Sequence, residues 1–107
     1  MKGFVGGGMQ NLMRQANQMQ AKMKKVQEDL NAREFEGTSG GGAVKVVVFG
    51  NNQMKSVDIQ PDVISSGDKE MLQDLILTAS NDALRLAKTT SEAELGKITG
   101  GFSMPGM

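Results

Sequence analysis

The chain has 107 residues, enough for one domain (1–107) with a modest core, and contains no His, Cys, Tyr or Trp. Those absences remove the commonest general base, the thiol nucleophile, most zinc ligation and any disulfide framework, so no enzyme, metal site or cofactor is expected. The zero formal charge hides an asymmetry: residues 1–33 hold six bases and two acids (+4), the remainder six bases and ten acids (−4), which points to a polyanionic partner.

Residues 1–8 read as a glycine-rich flexible leader. Gly6-Gly7-Gly8 stands before a helical pattern as a phosphate cradle would, but no strand precedes it and no Gly-Lys-Ser/Thr follows. Residues 9–33 predict a long helix of about 35 Å. Met9, Leu12, Ala16, Met19, Met23, Val26 and Leu30 recur at alternating steps of three and four, a heptad seam suited to a partner helix or to the domain's own core. Off the seam, Arg14, Gln18, Lys22 and Lys25 make a continuous ridge with Lys24 beside it, and amides supply much of the remaining surface. No aromatics interleave, so the ridge suits duplex phosphates, and groove edges with low sequence preference, better than stacked single-stranded bases.

Residues 34–60 predict a sheet. Arg33 to Ser39 alternates as an edge strand, Gly40-Gly41-Gly42 turns the chain, and Ala43 to Phe49 is apolar on both faces, as a central strand is. Gly50-Asn51-Asn52 is a second turn, and Met54 to Ile59 forms a third strand with Val57 and Ile59 inward, ended by Pro61. Short turns imply an antiparallel meander in the order 1-2-3.

A second helix is predicted over 68–89, N-capped by Asp68, with Leu72, Leu75, Ile76, Ala79, Ala83, Leu86 and Ala87 facing the sheet. Arg85 and Lys88 stand near its C-terminus, where the helix dipole favours cations. Ser91-Glu92-Ala93-Glu94 has a capping-box pattern for a separate short turn, and residues 100–107 read as an irregular tail. The fold class is α+β, a two-layer α-β-β-β-α arrangement. With four Phe and nine Met to fill its interior, the chain is expected to bury further apolar surface against a second copy. No apolar run approaches the roughly 20 residues of a membrane span and no signal-peptide core is present, so a soluble, intracellular protein is expected.

From the residues alone, a nucleic-acid-binding helix and a protein-binding or scaffolding helix stand level. A resemblance adds to this. The glycine leader running into Asn11-Leu12-Met13-Arg14-Gln15-Ala16, the Val44-Lys45-Val46 strand with its Gly50 turn, Glu70 to Ile76 with Asn81-Asp82-Ala83, and the closing Gly100-Gly101 with Pro105-Gly106 together resemble the bacterial YbaB/EbfC nucleoid-associated proteins. The resemblance implies a tight homodimer with projecting helical arms that binds double-stranded DNA in the cytoplasmic nucleoid. Its implied roles are altering DNA conformation, organising the nucleoid, regulating expression and protecting DNA. It also implies DNA contacts by Arg14, Lys22, Lys24 and Lys25, and by Arg85 and Lys88 on the second helix. The rival reading is an interaction module whose heptad helix docks a replication, repair or recombination protein.

Overall fold

A computed structural model describes residues 2–100, with side chains from Gly8 onward. Its elements are α1 (Lys2–Ala32), β1 (Glu34–Ser39), β2 (Val44–Phe49), β3 (Met54–Ile59), α2 (Pro61–Ser65) and α3 (Lys69–Thr99). The sheet is an antiparallel meander in the order β1-β2-β3 with helices against it, the expected two-layer α+β arrangement.

Alternation in the sequence becomes alternation in burial. Phe35, Gly37 and Ser39 of β1 are buried and Glu34, Glu36 and Thr38 exposed, while Val44, Val46 and Val48 of β2 are wholly enclosed. Three successive glycines turn β1 into β2 with φ of 59°, 68° and 96°, values that L side chains rarely adopt. Ala79, Ala83 and Ala87 form the buried stripe of α3. They let it descend onto β1 until a Cβ on Gly37 would overlap the backbone of Ala79 and Ala83. Small residues on both sides of this contact therefore set the spacing between the layers.

The third strand departs from expectation. Val57 pairs with Val46 and so shares its helix-facing side, but it is 43% exposed because α3 lies over β1 and β2. Ile59 is only half-buried. Register slips between Val47 and Val48 leave Lys55 as an extra residue, and its ammonium reaches Glu34 at 2.9 Å from across the sheet. Leu86, expected to face the sheet, is 44% exposed, while the unassigned Leu84 and Leu95 pack against the core.

Helix boundaries differ too. The backbone of α1 is helical from Lys2, not from Met9, because each residue added to an existing helix gains a hydrogen bond. The glycines are carried at roughly 1 kcal/mol each relative to Ala. Pro61 ends β3 as expected but also starts α2, where its missing N–H costs nothing at the first turn. Asp68 does cap α3, accepting from the Met71 N–H at 3.0 Å. That helix then runs unbroken to Thr99, so Ser91-Glu92-Ala93-Glu94 caps no separate turn; Leu95 packing on the core holds the segment helical. Of the expected tail, residues 101–107 lie outside the described residues.

Candidate nucleic-acid interface

The heptad seam of α1 sinks progressively into the body of the protein. Leu30 is fully buried; Val26, Met23 and Met19 are half-buried; Ala16, Leu12 and Met9 are exposed, the last two at 63% and 55%. Its inner end therefore packs within the chain, and its outer end has no cover among the described residues. From Gly8 to Gln18 every residue is exposed, so this stretch is a bare helical arm. The radius of gyration is 21.4 Å, against about 13 Å for a compact domain of this length. The longest dimension is 78 Å.

Contacts around Gly50 and Arg33 fix the base of the arm. Gly50 lies so close to the Leu30 carbonyl that a Cβ would overlap it, and its N–H donates to the Arg33 carbonyl at 2.9 Å. Arg33 itself bonds Asp29 at 3.0 Å and lies 3.9 Å from Glu94 on α3. With Leu30 anchored inward, Arg14 and Lys25 stand about 140–160° away around the helix axis, on the opposite side. Burial of the seam thus aims the ridge outward.

Arg14, Lys22, Lys24 and Lys25 of α1 are all exposed, and none pairs with an acid among the described residues. No acidic residue occurs before Glu28. Arg14 and Lys25 are separated by about 17 Å along the axis. Unpaired cations spaced along a rod can each meet a phosphate without first breaking an internal ion pair.

The two α3 cations are placed differently. Arg85 donates to Asp82 at 2.6 Å, and Asp82 also accepts the Thr38 N–H at 3.2 Å, so Arg85 is engaged in tying α3 to the edge of β1. Lys88 is exposed and unpaired among the described residues, beside a groove at the base of the arm lined by Gln27, Gly50, Asn52 and Leu84. The structure thus brings together the four α1 residues and leaves Arg85 apart. Sequence reading missed the open helix-facing side of β3, where Met54 is 52% exposed beside Val57. Alternation revealed which side those residues take, but not that α3 stops short of them.

Among the described residues no helix is long and apolar enough to cross a membrane, and no cluster of His, Cys, Asp and Glu could hold a metal. The sequence model of the YbaB/EbfC DNA-binding family matches residues 6–102. A nucleoid-associated protein of Caldanaerobacter subterraneus subsp. tengcongensis is 48% identical over 106 residues, 98% of this chain and 96% of its own. One from Clostridium novyi is 50% identical over 96% of this chain and 92% of its own. The fold is shared with an uncharacterized protein of Helicobacter pylori known from its crystal structure, at a TM-score of 0.70 and 21% identity, covering 83% of this chain and 94% of that one. The family and the relatives are named for DNA binding and nucleoid association, not for catalysis. The chain belongs to the YbaB/EbfC DNA-binding family.

Proposed function

We propose that this protein is a homodimer of the bacterial nucleoid, in the cytoplasm. Its paired basic arms hold duplex DNA with low sequence specificity and alter its conformation, which would serve nucleoid organisation, regulation of expression and protection of DNA. One observation carries the reading: Arg14, Lys22, Lys24 and Lys25 stand exposed and, among the described residues, without acidic partners on a rod that leaves the body. The names of its relatives support it.

The apolar surface supports the dimer. One chain exposes 7880 Å², about 2,000 Å² more than a compact monomer of its mass. Met54 and Val57 on the open side of β3, and Met9, Leu12 and Ala16 on the outer seam, are where a second copy would bury apolar area. Two arms then offer on the order of eight cations to one duplex, each phosphate neutralised releasing counterions.

Charge reversal of Lys22 and Lys25 together tests the contact surface. The Lys22→Glu/Lys25→Glu variant should weaken binding to unrelated duplexes alike, by at least tenfold in dilute buffer. Parental affinity in that variant would remove the ridge from the interface.

A further inference from the structure

A bare helix meets DNA differently from a helix backed by a domain. Within one chain the arm is exposed on every face from Gly8 to Gln18, and a second copy packed on Met9, Leu12 and Ala16 would leave the opposite face free to enter a groove. An α-helix with its side chains is about 10–12 Å across, the major groove of B-DNA about 12 Å wide and the minor groove about 6 Å. Only the major groove admits the arm without deformation.

The outward face carries groups suited to that groove. Gln10, Arg14, Asn17 and Gln18 fall at i, i+4, i+7 and i+8, one continuous helical face opposite the seam, and with Met13 and Ala21 they line a shallow depression on the arm. Asn and Gln can pair with the N6 and N7 edge of adenine, and Arg with the O6 and N7 edge of guanine, both of which lie in the major groove. About one turn further on, Lys22 and Lys24 are separated by about 160° across that face, one on each side of the line through Arg14, Gln18 and Lys25. Two cations straddling a recognition face match the two phosphate backbones that wall a groove.

We propose that the outer part of α1 lies in the major groove, with Gln10, Arg14, Asn17 and Gln18 toward the base edges and Lys22 and Lys24 on opposing phosphate backbones. This rests on the duplex-binding reading and specifies which surface of the duplex the arm meets. Gln10, Asn17 and Gln18 have no side-chain hydrogen bond within the described residues to fix their orientation, so they add only a modest sequence preference to a dominant backbone term.

The test uses the full chain and one duplex in three forms: unmodified, carrying glucosylated 5-hydroxymethylcytosine that fills the major groove, and saturated with netropsin in an A·T minor groove. Glucosylation should weaken binding at least tenfold and netropsin less than twofold. An Asn17→Ala/Gln18→Ala variant, on an exposed part of the helix, should lose the affinity differences between duplex sequences while keeping the parental salt dependence. Tolerance of glucosylation, or netropsin sensitivity as great as glucose sensitivity, would overturn the groove assignment and leave duplex binding standing. Failure to bind even the unmodified duplex in dilute buffer would overturn both.

Discussion

Gly50 and Leu30 meet backbone to backbone: the turn after β2 presses against the last turns of α1 so closely that no side chain fits between them. This contact, with Arg33 bridging toward Glu94, fixes the direction in which the arm leaves the body. Gly50→Ala should therefore cost about 2–3 kcal/mol, since neither backbone can give way as a flexible side chain would. Thermal unfolding should show a midpoint lower by roughly 10–20 °C. Gly96→Ala is the control. A Cβ there meets nothing within 4 Å, so it should be neutral or stabilising by up to about 1 kcal/mol.

Gly37 makes the same kind of contact with α3. Gly37→Ala should lift the helix from β1 and lower stability by an amount similar to Gly50→Ala, in denaturant titrations followed by circular dichroism. The two glycines differ in consequence: Gly37 spaces the layers, whereas Gly50 orients the arm. A folded fraction of the Gly50 variant should bind DNA more weakly than an equal folded fraction of the Gly37 variant.

Arg85 and Arg14 separate charge used inside the protein from charge free to meet DNA. Arg85 already binds Asp82. Arg85→Ala should change duplex affinity less than twofold, and Arg14→Ala should lower it severalfold in dilute buffer. Equal losses would place α3 in the contact surface.

The open side of β3 predicts the oligomeric state. Val57 is half exposed within one chain, so Val57→Asp should leave the monomer's circular dichroism intact while shifting sedimentation from dimer toward monomer. Unchanged sedimentation would move the interface elsewhere.

Most of the architecture could be read from local pattern. Strict alternation in Glu34–Ser39, glycine turns, valines on both faces of Val44–Phe49 and the Asp68 cap each have a short-range physical cause, and the structure realises each of them. What escaped depended on tertiary placement. Val57 alternates correctly yet stays exposed because coverage by α3 is not encoded in β3 itself. The seam likewise spelled a helix that pairs with something, while its division into a buried inner end and an exposed outer end is set by how far α3 runs alongside it. Arg85 looked like a free cation because its partner Asp82, three residues earlier, could equally have faced solvent; its bond to the Thr38 N–H brings it to the β1 edge.

The most direct measurement is duplex affinity against salt, on protein whose mass in solution has been determined, with several unrelated sequences. Paired basic arms require a dimer and a common linear fall of log K with log salt, at about −0.9 per phosphate contact. The slope should flatten when Lys22 and Lys25 are reversed. A monomer whose weak DNA affinity ignores salt would contradict the paired arms.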